Sequence, residues 1–269
     1  MDYEFDTLLV ERDDRLMTVT LNRPDSLNAV NGVMHAELED LFHRVSDDAS
    51  VGAILLRGAG KAFCAGGDVK SMASAADGTT ERSQLELAAA FLQTGKRIVT
   101  KLLDVEQPIV SAVQGYAFGI GATLALCCDV VIAADDAVFA DTHVGIGLVA
   151  GDGGALMWPL LLPINTAKYY LMTGDRITGA DAERLGLVVR AVPAAHLQET
   201  AREIAARLAA GPTLAIKWTK MAVNKAIRER ANLMFDTSLL LEGLTRISED
   251  HHEATAAFVE KRPPTFRGR

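Results

Sequence analysis

Short apolar runs alternate with amphipathic stretches along the first part of the chain. The segment "TLLVERDDRLMTVTLNRP" predicts a β-hairpin that turns at Asp13–Asp14 and ends at Pro24. Apolar residues then recur at helical spacing, which predicts a helix whose buried face is formed by Met34, Leu38, Leu41, Phe42 and Val45. The run "VGAILLRG" predicts a strand buried on both faces. This alternation of strands and helices is typical of an α/β fold with parallel strand pairing.

The pattern repeats in the middle of the chain. "PIVSAVQG" predicts a second buried strand, which a glycine-rich turn joins to a helix in "GATLALCCD". "VVIAADDAVFA" predicts two short strands around Asp135–Asp136. Residues 79–104 have a helical pattern, but the start of this stretch, in "SMASAADGTTERSQ", has the composition of a loop.

The C-terminal part has a different character, because strand signals stop at about Ala194. The remainder predicts three or four helices, broken at Gly211–Pro212 and near Ser248–Asp250. No low-complexity linker separates the two parts. We therefore predict a core domain over residues 1–193 and a helical oligomerisation region over residues 194–269.

Composition and charge exclude some functional classes. The 269 residues are 49% hydrophobic, enough for a large core, and their net charge of −8 argues against a nucleic-acid partner. No apolar run reaches the roughly 18 residues of a spanning helix, and the N-terminal stretch is acidic, which predicts no membrane insertion and no signal peptide. Cys64, Cys127 and Cys128 lie in apolar surroundings without CxxC spacing, which predicts reduced thiols in a cytoplasmic protein. No His/Cys cluster has the spacing of a metal site.

Two glycine-rich turns, over residues 57–72 and 114–126, each follow a predicted strand and precede a helix. Where two such turns converge, their unpaired backbone N–H groups form an oxyanion hole. Gly67 and the turn over residues 119–121 would supply these donors. Tight packing of strand against helix also requires glycine, so the residues alone leave both interpretations open.

Four segments carry a family resemblance: "LNRPDSLNAV", "RGAGKAFCAGGDVKSM", "SAVQGYAFGIGATLALCCDVVIAADDAVFA" and "AFVEKRPPTF". In this order and spacing, from about residue 8 to about residue 264, they resemble the enoyl-CoA hydratase/isomerase (crotonase) superfamily. The resemblance implies a crotonase-like spiral of ββα units with a C-terminal helical trimerisation region. It also implies a homo-oligomer, a trimer or a dimer of trimers. Coenzyme A would enter as part of the thioester substrate rather than as a permanently bound cofactor.

The resemblance assigns roles residue by residue. The backbone N–H groups of Gly67 and Ile120 would hold the thioester oxygen as it becomes an enolate. Ile120 stands where the family usually has glycine, and a β-branched residue tolerates a positive φ poorly. The implied coenzyme A contacts are Ser26, Leu27, Lys61, Ala65, Gly67, Asp68, Val69, Phe258 and Lys261. For each lysine a solvated surface charge is the alternative, and for Asp68 a helix cap.

The two glutamates that hold water in hydratases of this family are missing. Thr123 and His143 occupy their places, and Asp152 follows nine residues after His143. His143 and Asp152 are the candidate acid/base groups, with a structural histidine and a helix N-cap as their alternatives. We expect an apolar pocket to raise the pKa of Asp152. Asp141 is expected at the surface or at an interface, because it alternates outward from Phe139.

These residues support several functional hypotheses. The leading one is an acyl-CoA enzyme that proceeds through an enolate held by the oxyanion hole. Isomerisation of a double bond needs one acid/base group, whereas hydration needs a positioned water as well, which His143 with Asp152 could supply. Hydrolysis of a thioester or C–C bond and a non-catalytic acyl-CoA binding protein are the alternatives.

Overall fold

The main sheet is six-stranded in a computed structural model that describes residues 3–69 and 84–269. Its strand order is β1-β2-β3-β4-β6-β9. The first two strands form the expected hairpin, with Leu8 opposite Leu21 and Asp14 at φ 51° in the turn. The remaining neighbours pair in parallel. The strands are β1 (Leu8–Asp13), β2 (Leu16–Leu21), β3 (Ala53–Gly58), β4 (Ile109–Val113), β6 (Val130–Ala134) and β9 (Arg190–Val192).

A second, three-stranded sheet has the order β5-β7-β8. Its strands are β5 (Tyr116–Phe118), β7 (Val138–Ala140) and β8 (Ile177–Thr178). From β4 to β7, successive strands alternate between the two sheets. A helix follows β5 and another follows β7, so the structure contains the expected repeat of two strands and a helix.

Helices cover the sheets and continue to the C-terminus. Their bounds are α1 (Gly32–Ser46), α2 (Gln84–Thr94), α3 (Arg97–Asp104), α4 (Ile120–Leu126), α5 (Gly154–Leu161), α6 (Ile164–Thr173), α7 (Gly179–Leu185), α8 (Leu197–Ala209), α9 (Thr213–Arg246) and α10 (Glu249–Glu260). Helix α1 begins after Asn31, whose side chain accepts the N–H of Met34, and it buries all five residues of the predicted face. Of the predicted loop over residues 71–84, residues 71–83 lie outside the described residues, and Gln84 is the first residue of α2.

The C-terminal helices break where the sequence predicts. Helix α8 buries Leu197, Ala201 and Ala205 and packs on the main sheet. Helix α9 is tied to the core by the ion pair between Lys220 and Asp129, at 2.8 Å. Its outer face exposes Leu233, Leu240, Leu241 and Leu244. The division of the chain at residue 193 and the oligomeric state remain predictions.

The three cysteines are buried as free thiols, and burial raises the pKa of each. Within residues 3–69 and 84–269, no helix combines the length and apolar character needed to cross a bilayer.

Candidate active site

The two glycine-rich turns pack directly against each other. Cys64 forms an isolated parallel bridge with Ala117, and the N–H of Phe118 donates to the Cys64 carbonyl at 3.0 Å. A Cβ on Gly121 would lie 2.8 Å from Cys64 Cβ, so glycine allows this approach. The segment that contains Gly67 therefore lies beside the start of α4.

The backbone of both turns leaves donors available. Gly67 forms a parallel bridge with Val30, in which Val30 N donates to Gly66 O and Asp68 N donates to Val30 O. Since successive N–H groups of an extended chain alternate in direction, the Gly67 N–H points away from Val30. Ile120 is the first residue of α4, where an N–H has no intrahelical acceptor.

The local backbone accommodates Ile120. Gly119, immediately before it, has φ 49°, whereas Ile120 is not among the non-glycine residues with positive φ. Glycine therefore adopts the left-handed conformation that a β-branched residue would resist.

Part of the predicted coenzyme A strip is contiguous. The N–H of Ala65 donates to the Leu27 carbonyl at 2.9 Å, which places the exposed Ser26 and the left-handed Leu27 beside the 64–68 segment. Asp68 forms an ion pair with Arg23 at 3.1 Å.

Other predicted contacts lie at the surface of this chain. Lys61 is exposed, and Val69 is the last residue before the undescribed stretch. Phe258 is 53% exposed near the end of α10, and Lys261 ends that helix at φ 56°. Their roles in binding coenzyme A remain predictions.

His143 is held between two aspartates. Its Nδ1 lies 2.7 Å from Asp141 Oδ1, and its Nε2 lies 3.3 Å from Asp152 Oδ2. The surface position expected for Asp141 is wrong, since Asp141 is fully buried and also accepts the backbone N–H of His143. Strand β7 ends at Ala140, so the alternation that points side chains outward no longer applies at Asp141.

The two aspartates control the charge of the imidazole. Burial would lower the pKa of His143, but the Asp152 and Asp141 carboxylates outweigh it and raise this pKa well above 6.5. Burial would likewise raise the pKa of Asp152, but the His143 cation outweighs it and lowers the pKa below its usual value. The expected upward shift of Asp152 is therefore wrong. These opposite shifts favour the cationic form of His143 and the anionic form of Asp152.

Asp152 does not cap the helix that follows it, so the N-cap alternative is wrong. Gly153 occupies the N-cap of α5 at φ 132°, and no side chain caps this helix. A Cβ on Gly153 would collide with Thr123 Cγ2. Thr123 is fully buried, and its Oγ1 has no hydrogen-bond partner within the described ranges. Thr123 and Asp152 thus belong to the same enclosed region.

The histidine also lies beside the backbone donors. A Cβ on Gly119 would lie 3.5 Å from His143 Cε1. The structure therefore brings Ile120, Thr123, His143 and Asp152 together around the start of α4.

A fourth ionisable residue of this region was not predicted from the sequence. Glu242 on α9 is fully buried, and its Oε1 lies 2.9 Å from Arg246 Nη2. One of its oxygens lies within 4.8 Å of ligand atoms of both His143 and Asp152. Burial, followed by the Asp152 charge, raises the pKa of Glu242 to about 7. The available signal was a lone acidic residue within the apolar run "SLLLEGL".

The same three residues have the donor atoms of a metal site, since one atom from each of His143, Asp152 and Glu242 lies within 4.8 Å of the others. Both ring nitrogens of His143 face carboxylate oxygens. A cationic imidazole donates from both nitrogens and has no lone pair for a metal. The charge state favoured by these contacts suits proton transfer.

Comparison with known families decides the assignment of the chain. Residues 11–269 match the family described as "Enoyl-CoA hydratase/isomerase". The chain belongs to this family. The resemblance inferred from four sequence segments is thus confirmed over nearly the whole length.

Relatives within the enoyl-CoA hydratase/isomerase family have more than one activity in their names. A protein of Mycobacterium tuberculosis named a "probable enoyl-CoA hydratase" is 38% identical over 267 residues, covering 98% of this chain and 99% of the relative. A 1,2-epoxyphenylacetyl-CoA isomerase of Escherichia coli is 33% identical over 254 residues, covering 94% and 95%. The family acts on acyl-CoA thioesters, but these relatives do not single out one reaction for this member.

Solved structures of the family share the fold. An enoyl-CoA hydratase/isomerase from Mycobacterium paratuberculosis superposes with a TM-score of 0.84 at 35% identity, covering 94% of this chain and 99% of the other. An enoyl-CoA hydratase from Mycobacterium avium subsp. paratuberculosis has a TM-score of 0.87 at 27% identity, covering 98% and 100%. The predicted crotonase-like α/β fold is confirmed, and the C-terminal helices fit the trimerisation region expected of it.

Proposed function

We propose that this protein is an enzyme that adds water to, or removes it from, the acyl group of a coenzyme A thioester. The observation that carries the proposal is the buried array of Asp141, His143 and Asp152 beside the start of α4. Such an array contains an ionised base and a cationic acid within one enclosed site. Hydration of a conjugated double bond requires both.

The backbone donors stabilise the intermediate. The N–H groups of Gly67 and Ile120 bind the thioester oxygen while it carries the negative charge of an enolate. One such donor is typically worth roughly 3–4 kcal/mol of barrier. Thr123 contributes its buried hydroxyl to the site, where it holds the water.

The proton transfers return both Asp152 and His143 to their starting charge states. Asp152 accepts a proton as the water oxygen bonds to Cβ, and the electrons of the double bond move onto the thioester oxygen. The enolate collapses as His143 donates its Nε2 proton to Cα. Asp152 then returns its proton to His143 across the 3.3 Å contact, which restores the starting charges.

The remaining site residues bind coenzyme A in this proposal. Ser26, Leu27, Ala65, Gly67, Asp68 and Val69 line its path, and Lys61 pairs with a phosphate. Phe258 and Lys261 reach the coenzyme A of a neighbouring copy in a trimer or a dimer of trimers. Both are exposed on this chain, as such a role requires. The proposed location is the cytoplasm.

Hydrolysis is the second candidate, because the same ionised Asp152, held beside the His143 cation, can also activate a water for hydrolysis. The same water would then attack a carbonyl carbon instead of Cβ. The oxyanion donors would serve either reaction.

A panel of 2-enoyl-, 3-enoyl-, saturated and cyclic acyl-CoAs, followed by mass spectrometry and ultraviolet absorbance, tests the proposal. We expect a gain of water together with loss of the conjugated thioester absorbance. Free coenzyme A or a ring-opened product would instead establish the hydrolase. New conjugation at constant mass would mean an isomerase. Binding without any chemical change would refute the enzyme and leave an acyl-CoA binding protein.

A further inference from the structure

Helix α9 supports the loop that carries Asp152. Ser238 Oγ donates to the Gly151 carbonyl at 2.9 Å, and Thr245 Oγ1 accepts the N–H of Val149 at 3.2 Å. Glu242 lies between these contacts on the same helix face, since residues three and four apart are neighbours. A Cβ on Gly151 would lie 2.7 Å from Glu242 Cβ. The glutamate therefore sits in the middle of the contact between helix and loop.

Two carboxyl oxygens in this contact each lack a hydrogen-bond donor. Glu242 Oε1 is held by Arg246, while Glu242 Oε2 and Asp152 Oδ1 are buried without a hydrogen-bond partner in the described part of the chain. Leaving a buried ionised oxygen unpaired is costly. A single proton on Glu242 removes one charge and supplies a hydrogen-bond donor.

The surrounding charges decide which carboxyl holds this proton. Asp152 faces the His143 cation at 3.3 Å within a buried site. Glu242 faces Arg246, whose side chain is 24% exposed and therefore partly screened, and it also faces Asp152. Two close carboxyls do not ionise together easily, so the proton stays on Glu242.

We infer that Glu242 is a positioning residue for the acid/base pair: its uncharged carboxyl keeps the negative charge on Asp152 and the positive charge on His143. The inference rests on the proposed function. Because one of its oxygens lies within 4.8 Å of ligand atoms of both His143 and Asp152, Glu242 acts through these two residues.

Ionisation of Glu242 then lowers the turnover of the enzyme. The pKa of Glu242 is about 7, raised by burial and by Asp152, so its negative charge appears as the pH rises through neutrality. The new negative charge raises the proton affinity of both Asp152 and His143, so the His143 cation gives up its proton less readily and is weakened as the acid. Glutamine at position 242 copies the uncharged form at every pH.

The test compares the wild type with Glu242→Gln and with Glu229→Gln, a matched change at an exposed position of the same helix. Turnover is measured against pH, and the ring nitrogens of His143 are titrated by NMR without substrate. We expect Glu242→Gln to keep turnover within about threefold on the acidic side, to lose the alkaline decline and to remove a step from the His143 titration. Glu229→Gln should match the wild type.

Two results would overturn the inference. One is a pH profile and a His143 titration that Glu242→Gln leaves unchanged. The other is a loss of more than about 100-fold at every pH, because Glu242 would then transfer the proton itself. If Glu242→Gln does not fold, Arg246→Gln replaces it, since loss of the cation should move the alkaline decline to higher pH and an unmoved decline would refute the inference. An inactive wild type would refute the proposed function alone, because the His143 titration needs no substrate.

Discussion

The two halves of the candidate site use different chemical groups, backbone N–H donors in one half and side chains in the other. At the start of α4 the useful groups are backbone N–H donors, and the side chain of Ile120 is incidental to them. In the loop after β7 the chemistry depends on the side chains of Asp141, His143 and Asp152. A backbone site tolerates a changed side chain as long as φ and ψ are kept, whereas a side-chain site changes its chemistry with each substitution.

The largest effect on turnover is expected for Asp152→Asn, in the half of the site that depends on side chains. We expect turnover to fall by about 100-fold or more, because general acid/base groups contribute about 10²–10⁴. Coenzyme A affinity, measured by calorimetry, should not change. Asp136→Asn, in an exposed turn, is the control. Unchanged turnover of Asp152→Asn would remove this residue from the mechanism.

Gly153→Ala tests the junction of the halves, because Gly153 adjoins Asp152 and touches Thr123 of α4. Its φ of 132° and the clash with Thr123 Cγ2 should lower the free energy of unfolding by about 1–3 kcal/mol or more in urea denaturation. Adding Thr123→Ser should recover part of the loss.

Gly145→Ala is the matched control for Gly153→Ala. A Cβ on Gly145 would meet no atom of the described residues within 4 Å, and the φ of Gly145 is not positive. Equal losses at positions 145 and 153 would contradict the junction.

Asp141→Asn tests how far the Asp141 carboxylate controls the pKa of His143. Removing a carboxylate at 2.7 Å should lower the pKa of His143, measured by NMR with the other histidines as internal standards. The raised pKa means that His143 stabilises the fold fully below about pH 6.5, and this stabilisation is lost as the pH rises through the folded value. Asp141→Asn should shrink that pH dependence, and an unshifted His143 titration would contradict the pairing.

The smallest effect is expected for Ile120→Ala in the backbone half. Because the N–H donor remains, turnover should fall far less than the roughly 100-fold expected for a lost donor. Gly119→Ala should cost more, since a Cβ at φ 49° strains the turn that orients Ile120. The reverse order of the two variants would argue against a backbone-built site.

The fold was largely predictable from periodicity. The five apolar residues predicted for α1 are its buried face, and the helix breaks at Gly211–Pro212 and near Ser248 fall where α8 and α9 end. Such signals are local, since they depend on spacing within one element and on proline and glycine at its ends.

The site was predictable only in part. The positions of Thr123, His143 and Asp152 followed from the resemblance, but the burial of Asp141 and the proximity of Glu242 depend on contacts between distant segments. Asp141 lies just past the end of β7, where alternation has no further meaning. The direction of the Asp152 pKa shift could not be predicted from the sequence either. It is set by the ion pair with His143 at 3.3 Å, which the spacing of residues along the chain does not reveal.

The contact between Thr123 and Gly153 constrains how this site can change over evolutionary time. Gly153 is already the smallest residue, and Thr123 is wholly enclosed, so neither can make room for a larger partner. A glutamate at position 123 would have to move the loop that presents Asp152. The route from this sequence to a two-glutamate site therefore passes through coordinated replacements, and each half of the site limits the mutations that the other half accepts.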